Sequence, residues 1–375
     1  MSEGTLYDFA VIGAGIAGAS IAAELAAHAN VLVLEAEDAP GYHSTGRSAA
    51  FWDECYGGPG VVPLTLASGP YLREHGFLRE SGALYIGRRE DEGEMDAFLN
   101  TFAGTGVTIE RLGREGIESR VPCTRDEWRD AIWEPACANI DVAGLHQHYL
   151  KRMKGDGAQL ICRSRVNELT CTNGVWDILT QSGETYHATT IVNAAGAWAD
   201  DLANIAGARP LGIQPYRRTV AQLRVDPPAP ETLPLVIDIN GGFYFKSDNG
   251  RLWLSPHDEI PTTACDAAPE EIDVAIAIDR FQSATDWKIE AVERKWAGLR
   301  SFSPDRLPVY GPDPECEGFV WFAGQGGFGI QTSPAAARLG AQIALGLERD
   351  AMTRAIDATV YSPARYHDET QVKVG

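Results

Sequence analysis

The chain is short of positive charge, of metal-ligand spacings and of long apolar runs, and each shortage excludes something. Its 32 lysines and arginines face 52 aspartates and glutamates, a formal net charge of −20. That balance argues against nucleic acid and anionic membrane surfaces as partners, and it makes any anionic substrate dependent on locally placed arginines. The seven cysteines (Cys55, Cys123, Cys137, Cys162, Cys171, Cys265 and Cys316) are odd in number and scattered. They form no CxxC pair, so reduced thiols in a cytoplasmic protein are expected, and no metal site. His146 and His148 form an HxH, but two residues apart on a helix they point in different directions, which predicts ordinary surface histidines. No basic region precedes the first apolar run, and Glu24 and His28 interrupt that run. Strand, turn and helix account for it, so neither a signal peptide nor a transmembrane segment is expected. Internal repeats and low-complexity tracts are missing too. With 375 residues, 44% hydrophobic and 22% charged, the chain is long enough for two globular domains.

What is present begins at residue 9. An apolar strand, Phe9 to Ile12, runs into Gly13-Ala14-Gly15-Ile16-Ala17-Gly18, which opens a helix of small residues through about His28. A second strand, Val31 to Leu34, ends at Glu35. Gly13 permits a tight turn, Gly15 lets a pyrophosphate touch the backbone, and Gly18 lets helix and strand pack closely. The helix N-terminus offers free N–H groups to phosphates. Glu35 stands where an acid accepts hydrogen bonds from the ribose hydroxyls. Strand, glycines, helix and acid agree on a dinucleotide.

Residues 163–193 read as a three-stranded meander with turns at Thr172-Asn173-Gly174 and Ser182-Gly183. A nucleotide domain that inserts such a meander suits FAD more than NAD. Residues 189–198 look like the return to the parallel sheet, and the small Ala194-Ala195-Gly196 end can lie against a cofactor. Residues 213–260 have antiparallel texture, with Gly242–Ser247 and Arg251–Ser255 joined by Asp248-Asn249-Gly250, a strong hairpin signal. Charge-rich residues 88–135, with helical patterning, are expected to add helices to that second unit. Phe319 to Ala323 then feeds a second glycine loop, Gly324 to Thr332, before a helix with Ser333 as N-cap and Pro334 at its first position. A helix start aimed at a flavin would stabilise the negative charge that develops on reduction. The expected fold is α/β: a Rossmann-like FAD-binding domain, a parallel sheet with a meander insertion, plus a discontinuous α+β substrate domain with an antiparallel sheet. The expected division is 1–82, 144–212 and 302–375 for the first, 83–143 and 213–301 for the second.

With Gly41-Tyr42-His43-Ser44-Thr45-Gly46-Arg47-Ser48-Ala49-Ala50, the chain resembles the D-amino-acid oxidase (DAO) family of flavoproteins, and within it the bacterial D-arginine dehydrogenases. Val192 to Trp198, Pro215 to Arg218, Trp296 to Phe302 and Gln325 to Thr332 carry the likeness through most of the chain. The resemblance implies noncovalent FAD and oxidation of an amino acid at Cα to an imino acid, which hydrolyses to a 2-oxo acid and ammonia. It assigns Gly13, Gly15, Ile16, Ala17, Gly18, Glu35 and Ala36 to the cofactor, with Ser44, Thr45, Arg47, Ser48 and Ala50 along the flavin. Val166, Ala195, Gly196, Trp198, Arg300, Gly326, Gly327, Phe328, Gly329, Ile330, Gln331 and Thr332 complete that set. Arg218, Tyr244, Arg300, Gly327 and a lid tyrosine, Tyr56, fall at the substrate. An arginine fork suits a carboxylate bidentately, and a tyrosine hydroxyl adds a third bond.

Two departures bear on the substrate. Phe51 stands where the D-arginine enzymes have an active-site histidine, and Leu84 aligns with the glutamate that pairs with the guanidinium. Both make the pocket more apolar and point to a neutral or apolar amine rather than D-arginine, although Asp53 and Glu54 in the lid segment could restore negative charge. Cys316 is not the position of a covalent flavin link, which aligns with Gly298. The electron acceptor is expected to be a quinone or another carrier. An oxygen-using oxidase of glycine-like or N-methyl amines, a 2-hydroxy-acid dehydrogenase, and a flavin subunit of a larger amine- or opine-oxidising complex remain open.

Overall fold

The computed structural model describes residues 5–49 and 51–367. Its first sheet has eight strands. Leu6–Ile12 lies at the centre, parallel to Val31–Leu34 on one side and to Thr185–Asn193 on the other. Buried on both faces, these strands alternate between two cores. Phe9, Val11, Val31 and Val33 pack with the helices Ile16–Ala26, Val142–Gly155 and Ser333–Leu345. Ala10, Ile12, Leu32 and Leu34 face the helix Ala199–Ala206.

The expected meander is the strands Val166–Thr172, Val175–Thr180 and Thr185–Asn193. Its first turn places Asn173 and Gly174 at φ +53° and +78°, as the Asn-Gly signal requires. Thr185–Asn193 serves two neighbours along one edge. Its start, Thr185–Ala188, pairs with the meander, and its end, Ile191–Asn193, pairs in parallel with Phe319–Trp321.

The second sheet has ten strands and is antiparallel except for one pair. Gln214–Asp226 and Lys288–Phe302 form its longest ladder, and Tyr244–Asp248 pairs with Arg251–Ser255 as the hairpin signal predicts. Residues 88–135 depart from expectation. They hold the helices Glu92–Phe102 and Arg114–Glu118, but also the strands Glu110–Gly113 and Trp128–Glu134. Charged residues on the exposed face of these strands mask their alternation. The late helix begins at Ser333 with Thr332 as N-cap, one residue before the expected start.

Candidate active site

Leu6–Ile12 delivers the chain into a turn that only glycine fits. Gly13 has φ +103°, and a β carbon on it would lie 2.6 Å from the carbonyl oxygen of Ala194. One on Gly18 would lie 1.8 Å from the Gly13 oxygen. The helix N-terminus is held from the side by Thr45, whose Oγ1 accepts from the Ile16 N–H at 2.9 Å. Glu35 is 8% exposed, with Oε2 accepting from Ala14 N at 2.8 Å and Oε1 from Glu37 N at 2.9 Å. Those bonds fix the carboxylate and leave it acceptor capacity toward the cavity.

That cavity, of about 700 Å³, runs from Glu35 and Val166 past the first glycine loop to Arg218, Tyr244 and Arg300. Bare backbone at Gly13 and Gly15, a helix N-terminus that lines the cavity and an acid at the next strand end suit a pyrophosphate and a ribose. The second glycine loop walls the far end.

There the strand register does the positioning. Arg218 is opposite Gly298, and Arg300 is opposite Tyr216, so the two arginines project diagonally from one face of the ladder. Gln325 and Gly326 pair with Phe302 and Ser301, which brings Gly327 beside Arg300. A β carbon on Gly327 would lie 1.8 Å from Tyr56 Oη and 2.4 Å from both Nε and Nη2 of Arg300. Nη1 of Arg300 donates to Glu259 Oε1 at 3.0 Å, and the Nε–Nη2 edge is left facing Gly327. Burial and the nearby Arg306 push Arg300 down to about 9, so it is a cation at neutral pH. The Arg218 guanidinium lies 5.9 Å from the Tyr244 ring, and that of Arg300 lies 5.4 Å from the Tyr56 ring. Phe51, Phe98, Leu235, Ile237 and Ile239 line the same end of the cavity.

Residues 8–343 match the family described as FAD dependent oxidoreductase, DAO. The chain belongs to that family. It is 25% identical to the hydrogen cyanide synthase subunit HcnC of Pseudomonas aeruginosa over 379 residues, 87% of this chain and 89% of that protein. It is 24% identical to the glycine oxidase of Geobacillus kaustophilus over 350 residues, 88% of this chain and 90% of that one. The crystal structure of that glycine oxidase superposes with a TM-score of 0.81 at 23% identity, over 95% of this chain and 98% of the other. L-proline dehydrogenase from P. horikoshii gives 0.84 at 23% identity, over 97% and 99%. The protein is an FAD-dependent oxidoreductase, and its cavity residues fit that cofactor. These relatives support the family rather than the narrower likeness to D-arginine dehydrogenases.

Most of the residues expected at the flavin line the cavity: Gly13, Gly15, Ile16, Ala17, Glu35, Ala36, Ser44, Thr45, Arg47, Ser48, Val166, Ala195, Gly196, Trp198, Gly326, Gly327, Gly329 and Ile330. Gly18 serves helix packing behind them. Phe328 is 2% exposed in a cluster with Val61 and Phe302. Gln331 donates from Nε2 to Asp53 O at 3.1 Å and to Thr65 Oγ1 at 2.9 Å, and Thr332 caps its own turn by donating to Phe328 O. These three brace the wall rather than line it. Arg47 turns its guanidinium to Ala267 O, at 2.8 Å, and to Asp266, tying its loop to the second sheet. Ala50 lies outside the described residues.

Several expectations are corrected. Leu84 is fully buried in the core with Ile86 and Val236 and does not line the cavity; its neighbour Tyr85, on the opposite face of the strand, does. Asp53 is no solvated lid acid: it is 3% exposed, takes N–H bonds from Cys55 and Tyr56 at 2.9 Å, and accepts from Tyr85 Oη at 2.7 Å. Glu54 is buried as well. Asp53 accepts from Tyr56 N at 2.9 Å and Gln331 Nε2 donates to Tyr56 O at 3.4 Å, which ties the turn bearing Tyr56 to the second glycine loop. His146 is buried too, its Nε2 at 2.9 Å from Ala14 O, and burial lowers its pKa. It buttresses the first glycine loop from a helix that looked like surface. Cys316 packs against Ala206, away from the cavity.

Sequence reasoning missed Pro256-His257-Asp258-Glu259, a short charged loop with no motif to mark it. His257 lines the cavity edge-on to Tyr244, with ring centroids 5.6 Å apart, and holds φ +57°. Burial, then Arg218, push it down to about 3, so it is neutral in the folded protein. The unfolded chain takes up this proton near pH 6.5 and the folded chain only near 3, so stability falls as pH drops through that window. His257→Asn keeps a residue tolerant of left-handed backbone. Relative to its effect at pH 8, the substitution should favour the folded state by about 2 kcal/mol at pH 5, read from urea unfolding at both pH values.

Proposed function

We propose that the protein oxidises the Cα–N bond of an amino acid with a neutral or apolar side chain, of D configuration or as small as glycine, to the imino acid. The observation that carries this reading is the register-set pair Arg218 and Arg300, meeting Tyr56, Tyr244 and Gly327 in a cavity continuous with the dinucleotide loop. FAD bound there would supply the acceptor for the hydride, which carries both electrons away from Cα. The protein's part is to hold the substrate. The Nε–Nη2 edge of Arg300 receives the carboxylate as a fork, the Tyr56 hydroxyl adds a bond beside it, and Arg218 adds charge from the same face. That anchorage fixes which face of Cα is presented. Phe51, Phe98, Leu235, Ile237 and Ile239 exclude water and receive the side chain. The imino acid then takes up water and yields a 2-oxo acid and ammonia. The amine must enter with its nitrogen lone pair free, and neutral His257 adds no positive charge against it. The electrons pass on to oxygen, a quinone or another carrier.

The test is anaerobic bleaching of the flavin band at roughly 450 nm by D- and L-amino acids, glycine, N-methyl amines and 2-hydroxy acids, followed by air. Rapid bleaching by neutral amino acids is expected, with little from D-arginine. Bleaching by 2-hydroxy acids alone would overturn the amine reading. The likeness to HcnC, by its name a subunit, over 87% of this chain and 89% of that protein favours a second reading in which the protein works within a complex. Its mark is no bleaching by any amine alone and bleaching once a partner is added.

A further inference from the structure

We infer that Glu259 is a positioning residue that limits the arginine cluster to one carboxylate, and so selects monocarboxylate over dicarboxylate substrates. The inference rests on the carboxylate-binding reading above.

Three guanidiniums converge on this one side chain. Its Oε1 accepts from Arg300 Nη1 at 3.0 Å, from Arg306 Nη2 at 2.9 Å and from Arg218 Nη2 at 3.4 Å. Its Oε2 accepts from Arg306 Nη2 at 2.8 Å. The backbone is held just as firmly, because Ile260 and Pro261 pair with Arg217 and Tyr216 at the edge of the long ladder. Asp258 completes the set. Its carbonyl accepts from Arg218 Nε at 2.6 Å, and its carboxylate takes Thr219 N at 2.8 Å and Thr219 Oγ1 at 2.9 Å.

The charges then count simply. Arg218, Arg300 and Arg306 contribute three positive charges, and Asp258 and Glu259 two negative ones. His257, pushed down to about 3, contributes none. Arg217 points elsewhere, to Glu270 and Asp273. One positive charge is left over in this group, and the Nε–Nη2 edge of Arg300, a residue that lines the cavity, has no protein acceptor among the described residues. A single carboxylate satisfies both. A second would meet the rings of Phe51 and Tyr244 at the cost of its own hydration, and the nearest further cation, Lys246, 4.7 Å from the Phe51 ring, is already donating to Ala49 O and Asn139 Oδ1. Removing the charge of Glu259 would leave the site able to hold a dianion. A unit charge about 6 Å away at an effective dielectric near 20 is enough to change dianion affinity by at least roughly tenfold.

The experiment titrates holoenzyme with acetate and with malonate at pH 7.5 and follows the perturbation of the oxidised flavin spectrum. It compares the wild type, Glu259→Gln and Glu259→Asp. Glu259→Gln should raise the malonate-to-acetate affinity ratio about tenfold, while Glu259→Asp keeps the ratio near wild type even where both affinities weaken. Taking the ratio removes a common loss from disturbed packing. A ratio in Glu259→Gln within twofold of wild type overturns the inference while leaving the carboxylate reading intact. If neither anion perturbs the wild-type flavin, the carboxylate reading itself falls, and the inference with it.

Discussion

Arg300→Ala should purify with FAD bound and lose about a thousandfold in the second-order rate of flavin reduction by its amino-acid substrate. The arginine is held at the Nη1 corner by Glu259 and presents its other edge to Gly327, where a β carbon would already collide with it. Truncating one partner of a buried, charge-assisted pair costs about 2–5 kcal/mol, a factor of roughly 30 to 5,000. The loss is cleanly attributable to the substrate. Glu259 keeps both bonds from Arg306, so no protein carboxylate is orphaned by the change. The cofactor's principal cradle, Gly13 to Ala17 with Glu35, lies at the other end of the cavity. Arg300→Lys should recover only part of the rate, since an ammonium is a point charge and cannot fork. Stopped-flow reduction alongside FAD content per protein decides it. Fast reduction with an unchanged substrate dependence would place the carboxylate elsewhere, with Arg218 next in line.

How far the sequence discloses this site depends on what kind of signal each residue sends. Gly13, Gly15, Gly18 and Glu35 are legible because backbone geometry forbids other residues there, and a local pattern of strand, turn and helix surrounds them. The hairpin at Asp248-Asn249-Gly250 is legible for the same reason: Asn249 and Gly250 take φ +50° and +74°. Leu84 misleads because alignment cannot tell which face of a strand a residue occupies, and a shift of one position exchanges it with Tyr85. His257, Glu259 and Arg306 send no local signal at all. Their roles come from a ladder that pairs residues near 216 with residues near 260 and near 300, a contact between distant segments. Asp53 and Glu54 read as lid acids available to a substrate because burial of a carboxylate depends on donors supplied by other elements, here Tyr85 and the backbone of Thr108.

Gly18→Ala should yield protein with little bound FAD, its cofactor affinity at least a hundredfold weaker and its fold destabilised by roughly 3 kcal/mol. The sign of this prediction runs against propensity. Gly18 sits inside the helix Ile16–Ala26, where alanine ordinarily gains about 1 kcal/mol over glycine. The steric term is larger. The new methyl would lie 1.8 Å from the Gly13 oxygen and 2.8 Å from its carbon, both backbone atoms that no side-chain rotation can move aside. The helix start must therefore shift by more than an ångström, and the shift breaks what holds the loop. The 2.8 Å bond from Ala14 N to Glu35 and the 2.9 Å bond from Ile16 N to Thr45 both cross that gap. Gly93 supplies the control, a helical glycine whose added β carbon would meet nothing within 4 Å. Gly93→Ala should keep its FAD and gain up to about 1 kcal/mol. Flavin absorbance per protein and thermal unfolding of both variants decide between the two effects. If Gly18→Ala retains FAD as tightly as Gly93→Ala, the phosphates do not rest on this helix start.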